Sequence, residues 1–141
     1  MAALFQVVYT STATRPFSRA DLLKLLRGSV QRNTRAGVTG MLLYLDGTFL
    51  QVLEGEEETV IGLYARIRRD PRHHHVIPLI HEQIKQRDFP DSAMSFRDLE
   101  TAELRRLPGY SQFLNTPRNE ELPVNDISKS RRLLLLFKED R

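Results

Sequence analysis

The sequence predicts an α+β fold: a ferredoxin-like β-α-β-β-α-β-β sheet with two helices on one face and C-terminal helices covering the other. Three observations predict it. Strand-like and helix-like apolar periods alternate through the first hundred residues. The Asp46-Gly47 hairpin signal lies between the two central strand-like segments, and both residue types tolerate the positive φ of a tight turn. After Leu99 the pattern changes to short apolar stretches broken by Pro108, Pro117 and Pro123. The chain of 141 residues therefore divides into residues 1–98, the sheet domain, and residues 99–141, a helical extension.

Each element has its own signal. Residues 4–9 read as a strand with Phe5, Val7 and Tyr9 on one face. Ser18 followed by Asp21 opens a helix of the capping type, which runs to about Asn33. Leu22, Leu25, Leu26, Ser29 and Asn33 share its inward face, and Gly37 permits the exit turn. Residues 38–44 and 48–54 are the hairpin strands. Glu56, Glu57 and Glu58 open a second helix, and Arg66, Arg68 and Arg69 close it, the signs that complement the helix dipole. Val60, Leu63 and Ile67 form its inward stripe, and Asp70-Pro71 ends it. Residues 76–84 read as a fourth strand and residues 93–96 as a fifth. The leucine run at residues 133–137 reads as a cover helix for the second sheet face, which would otherwise be bare apolar surface.

Composition excludes several classes of chemistry. Cysteine is absent, which removes disulfides, thiolate metal sites and cysteine nucleophiles. The net charge of +3 is too small to argue for nucleic acid, and the Arg66-Arg68-Arg69-Arg72 and Lys129-Arg131-Arg132 clusters read as solvated faces. His73-His74-His75 does not read as a metal site, because neighbours on an extended chain point in different directions. No targeting signal and no membrane-length apolar run is present, so a cytoplasmic protein is the expectation, with no membrane partner.

Polar residues interrupt the apolar faces at Tyr9, Ser29, Asn33 and Gln51. In the expected fold these converge between the helices and the sheet. A buried amide left unsatisfied costs about 1–3 kcal/mol, so the group implies either an internal network or a planar ligand with polar edges.

Five stretches then carry a resemblance: Val8-Tyr9-Thr10-Ser11, Ser29-Val30-Gln31-Arg32-Asn33 with Gly37-Val38-Thr39-Gly40, Phe49-Leu50-Gln51-Val52-Leu53-Glu54-Gly55, Asp70-Pro71-Arg72-His73, and Arg87-Asp88-Phe89-Pro90-Asp91-Ser92-Ala93-Met94. In this order and spacing, over residues 3–98, the sequence resembles a BLUF domain, the flavin-binding blue-light sensor, of the short stand-alone class.

The resemblance implies a role for each matching position. Asn33 would hold the polar edge of the flavin ring, supported by Ser29 one turn earlier. Leu25 and Ile67 would sandwich the ring, and Arg66 would approach its far carbonyl. Asp70, Arg72 and His73 would face the ribityl and phosphate part of FAD, or of FMN as the alternative. Tyr9 would give an electron and a proton to the excited flavin, and Gln51 would rearrange to leave a red-shifted state. Met94 would relay the change into the sheet towards an unidentified downstream protein. Ser92 stands where many family members have tryptophan, so a switching scheme built on that tryptophan does not carry over. Without cysteine, thiol–flavin adduct chemistry is impossible as well. The resemblance also implies a signalling protein that is not an enzyme, and self-association into a homo-oligomer. The competing readings are a ferredoxin-like small hydrolase using Asn33 and Arg66, and a light-insensitive ligand-binding module.

Overall fold

The structure is a computed structural model and describes residues 3–45 and 47–90. Strand β1 (Leu4–Ala13) is followed by helix α1 (Arg19–Ala36), strands β2 (Thr39–Leu45) and β3 (Thr48–Glu56), helix α2 (Glu57–Arg68) and strand β4 (His73–Ile84). The sheet order is β2-β3-β1-β4, and every adjacent pair is antiparallel. This is the ferredoxin-like α+β arrangement expected from the sequence. The expected fifth strand, Ser92, Met94 and the 99–141 extension lie outside the described residues.

Strand β1 occupies the centre, and its alternation serves two layers. Phe5, Val7 and Tyr9 join Leu22, Leu26 and Val30 of α1 and Val60, Leu63 and Tyr64 of α2 in one buried cluster. Both helices therefore lie on one face. Val8 points the other way, into a second buried cluster with Met41, Leu43, Leu50, Val52, Ile80 and Phe89. A strand buried on both faces loses the apolar–polar alternation of a surface strand.

The helix ends follow their capping residues. Ser18 accepts from the Asp21 backbone N–H while the Asp21 carboxylate accepts from Ser18 N–H, a reciprocal pair at the start of α1. Gly37 ends α1 with φ of 70°, a left-handed conformation that glycine adopts without steric cost. Gly47 supplies the positive φ, 83°, of the β2–β3 turn.

Strand β1 runs four residues beyond the expected Tyr9 because Thr10, Ser11 and Thr12 continue the ladder opposite Leu50, Phe49 and Thr48. Strand β4 likewise starts at His73 instead of residue 76, pairing His73 with Ala13 and His74 with Thr12. A register shift between Thr10 and Thr12 lies in this extension, where His75 has φ of 54°. Among the described residues, no helix is long and apolar enough to cross a membrane.

Two glycines separate steric fit from helix propensity. A Cβ at Gly40 would lie 1.9 Å from the Val52 carbonyl oxygen, whereas one at Gly62, inside α2, would meet nothing within 4 Å. Gly40→Ala should lower the unfolding free energy by about 3 kcal/mol, because backbone must move apart. Gly62→Ala should raise it by about 0.5–1 kcal/mol by favouring the helix. Chemical denaturation of both variants checks the pair; a tolerated Gly40→Ala would contradict the close approach of β2 to β3.

Candidate functional site

A cleft of about 470 Å³, part of it open to solvent, lies on the helix side of the sheet between α1 and α2. Tyr9 of β1 and Gln51 of β3 line it from the sheet, Leu25, Ser29 and Arg32 from α1, and Ile67 from α2. Asp70, Arg72 and His73, between α2 and the start of β4, line it with Phe17 and Phe49.

Tyr9 and Gln51 are directly opposed in the β1–β3 ladder, so their side chains emerge side by side on one face. The Tyr9 hydroxyl donates to Gln51 Oε1. Both residues are almost wholly buried, 3% and 4% exposed. Burial pushes the Tyr9 phenol far above its ordinary pKa; Tyr64 and Asp70 add to this, and Arg32 opposes it. Tyr9 is thus held protonated, with its proton directed along the bond to Gln51. The Gln51 amide commits its oxygen to Tyr9 and keeps its nitrogen as the donor end.

The rim is charged and pre-arranged. Arg72 Nε donates to both Asp70 oxygens at 3.0 Å, and Nη2 reaches Oδ2 at 2.5 Å. These bonds hold the Asp70 carboxyl below its usual pKa and raise that of Arg72. Partial burial lowers the pKa of Arg32, and the guanidinium groups of Arg66 and Arg72 add to the effect. Arg32 and Arg72 against Asp70 leave the rim positive. His73 is held on both sides: Nε2 lies 2.6 Å from the Ile67 carbonyl and Nδ1 lies 2.8 Å from Ser11 Oγ. A carbonyl only accepts, so Nε2 carries a proton. His74 and His75, in contact with each other, are exposed.

Of the residues expected from the sequence, Tyr9, Leu25, Ser29, Gln51, Ile67, Asp70, Arg72 and His73 come together at this cleft. Asn33 is wholly buried at the end of α1, where its carbonyl oxygen accepts from Val38 N–H at 2.8 Å, and its side chain is not among those lining the cleft. Arg66 is exposed and also outside the lining. Met94 lies outside the described residues. Phe17, Arg32, Leu42 and Phe49 line the cleft without having been assigned from the sequence, and Arg32 is the charged one among them. Its signal was present: residues 25, 29 and 32 follow the four-then-three spacing of one helix face. Asn33 instead continues the neighbouring stripe of Leu22, Leu26 and Ser29.

The cleft suits a planar group with a polar edge and an anionic tail. Apolar side chains stand on both helices, an amide lies at the base, and cations stand at the mouth. The comparison with known families agrees with this chemistry. The family model described as "Sensors of blue-light using FAD" matches residues 4–95.

The chain belongs to the BLUF family.

It is therefore a blue-light flavin sensor domain, a photosensory module, and its fold is that of the family. The photoactivated adenylate cyclase subunit beta of Euglena longa is 42% identical over 89 residues, 63% of this chain. The alpha subunit from Euglena gracilis is 40% identical over 86 residues, 61% of this chain. This chain spans about one tenth of the length of these curated relatives. Among solved structures, the dark-state BLUF protein BlrB has a TM-score of 0.65 at 35% identity, covering 68% of this chain and 73% of BlrB. The BLUF domain of BlrP1 has a TM-score of 0.69 at 30% identity, covering 97% of this chain and 90% of that one. BlrP1 from Klebsiella pneumoniae with FMN and cyclic diGMP has a TM-score of 0.72 at 30% identity, covering 97% of this chain and 35% of that one.

The buried phenol of this BLUF domain makes a direct prediction. Tyrosinate absorbance followed to about pH 11 should be the same for the wild type and Tyr9→Phe, because Tyr9 stays protonated through the ordinary tyrosine range. A step smaller by one tyrosine in the variant would show that the phenol is not shielded.

Proposed function

We propose that this chain is a photoreceptor whose switch is the Tyr9–Gln51 pair, held at the base of a flavin-binding cleft. The observation that carries the proposal is the buried hydrogen bond from the Tyr9 hydroxyl to the Gln51 amide oxygen.

When bound, the flavin absorbs blue light and becomes a strong one-electron acceptor. The protein's own groups supply the rest. Leu25 and Ile67 flank the ring from the two helices, and Ser29 and Arg32 offer polar atoms along α1. Asn33 and Arg66, outside the lining here, would add to the polar surroundings of the ring only after their side chains rearrange on binding. Arg72, fixed by Asp70, presents positive charge to the phosphate-bearing tail of FAD or FMN. His73, with both ring nitrogens engaged, sets the wall beside Tyr9, their ring centroids 6.2 Å apart.

Tyrosine is the readily oxidised side chain at the cleft, since the chain has no tryptophan and no cysteine. Losing an electron makes a phenol strongly acidic, and the proton's first acceptor is Gln51 Oε1. The amide is asymmetric, so its rotation or tautomerisation exchanges a donor for an acceptor at the cleft. Return of the electron and the proton to Tyr9 restores the oxidation states, so no substrate is consumed. The match to a family of blue-light sensors favours this reading over a hydrolase built on Asn33 and Arg66.

Residues 1–98 form the sensor, and residues 99–141, with Met94 leading into them, form the output. The receiver is a protein partner, and self-association into a homo-oligomer is part of the same proposal. The work is done in the cytoplasm, with no membrane or nucleic acid involved directly.

The protein purified with flavin should be yellow, and its visible bands should shift reversibly to the red under blue light. Tyr9→Phe should retain flavin and lose the shift. Gln51→Ala should bind flavin without forming the normal red-shifted state. Absorption spectra before and after illumination check all three, and normal photoconversion of Tyr9→Phe would overturn the assignment of the switch.

A further inference from the structure

The two central strands carry a second polar pair. Tyr9 opposes Gln51 on the helix face; three positions along each strand, Gln6 opposes Glu54 on the opposite face. Glu54 is 0% exposed and Gln6 is 2% exposed. Neither belongs to the cleft.

Glu54 is occupied by the segment that follows β4. Its Oε2 accepts from the Asp88 backbone N–H at 3.0 Å and from Gln6 Nε2 at 3.0 Å. Its Oε1 accepts from the Phe89 backbone N–H at 2.5 Å and from Thr39 Oγ1 at 3.4 Å. Gln6 Nε2 also donates to Asp88 Oδ2 at 2.9 Å. Arg87 completes the fastening, donating to Thr39 Oγ1 at 2.9 Å and to the carbonyls of Gly37 at 2.8 Å and Glu54 at 3.1 Å. Phe89 then enters the far-face cluster beside Val8 and Val52.

These bonds depend on one another. A buried carboxylate is tolerated only when its lone pairs are met, and two of its donors are backbone N–H groups outside the sheet ladder. Moving the strap would strand the carboxylate, and losing the carboxylate would strand the strap's N–H groups. Such a network is either made or broken, because a half-satisfied state is the costly one. Burial already holds the Glu54 carboxyl above its ordinary pKa, with the nearby Asp88 carboxylate adding to the strain.

We propose that the Gln6–Glu54–Asp88 clasp couples the photoswitch to the output segment, with Glu54 as the positioning residue that holds or releases residues 87–89. The proposal rests on the photoreceptor reading. A change at Gln51 alters β3 three residues from Glu54, on a strand whose opposite face the clasp occupies. In sequence, residues 91–141 follow directly after the clasp.

The test uses the full, flavin-loaded chain. Backbone hydrogen exchange of residues 85–141 is measured in darkness and under blue light, together with the absorption shift. The wild type should exchange differently in light and dark over this stretch. In Glu54→Gln, and in the gentler Asp88→Asn at a half-buried position, the red shift should persist while the light-minus-dark difference falls about threefold or more. A merely structural clasp would raise exchange in the dark and leave the difference intact, which overturns the proposal. A red shift in the wild type with no light-dependent exchange here overturns it too. Absence of any red shift in the wild type overturns the photoreceptor reading, and the clasp falls with it.

Discussion

The hydrogen bond between Tyr9 and Gln51 is possible only because two adjacent central strands bury their opposed side chains completely. A phenol and an amide taken out of water need each other, since an unmet partner costs about 1–3 kcal/mol. The rest of the domain supplies the burial. Strand β3 seals one side of β1 and strand β4 the other, so neither Tyr9 nor its backbone stands at an edge. Tyr64 of α2 packs its ring 5.4 Å from that of Tyr9, and His73 closes the approach from β4. The capping pair at Ser18 and the left-handed exit at Gly37 fix where α1 begins and ends, and hence which of its side chains reach the cleft.

Much of this was legible in the sequence, for identifiable reasons. The Asp46-Gly47 pair marked the hairpin, and the acidic and basic ends of residues 56–69 marked α2, because both signals are local. The inward placement of Tyr9 and Gln51 followed from strict period-two alternation with Phe5, Val7, Phe49 and Leu53. Glu54 and Gln6 were not legible. On a strand buried on both faces, alternation says which residues share a face, and it does not say whether that face meets water. Glu54 is buried by a strap more than thirty residues away in sequence, and nothing near it announces the partner. The start of β4 was missed for a related reason: His73 and His74 are strand residues because β1 extends to receive them.

Electrostatics at the cleft mouth follow a similar division of labour. Asp70 pairs with Arg72 and favours the charge of Arg32 less strongly than burial and the Arg66 guanidinium oppose it. Mutual repulsion among the guanidinium groups of Arg32, Arg66 and Arg72 makes a nearby anion favourable. Arg32 also favours the deprotonated Tyr9, opposing the burial that keeps the phenol neutral. In the proposed photoreceptor, the residue that would attract an anionic tail would therefore also moderate the energy of the switch.

The two polar pairs on β1 and β3 differ in kind, and the difference gives the domain a direction. Tyr9–Gln51 faces a ligand cleft and contains an amide that can reverse. Gln6–Glu54 faces protein and is fastened by backbone N–H groups that cannot reverse. A reversed amide in a dry site changes the local free energy by about the cost of one unmet hydrogen bond, 1–3 kcal/mol. Coupling free energies between distant sites fall in the same range, about 1–3 kcal/mol. One inverted side chain is therefore enough to bias a bistable clasp, provided the intervening strand transmits the change instead of absorbing it. Strand β3 meets that condition, because Val52 and Leu53, between Gln51 and Glu54, are fully buried on opposite faces and leave it no slack.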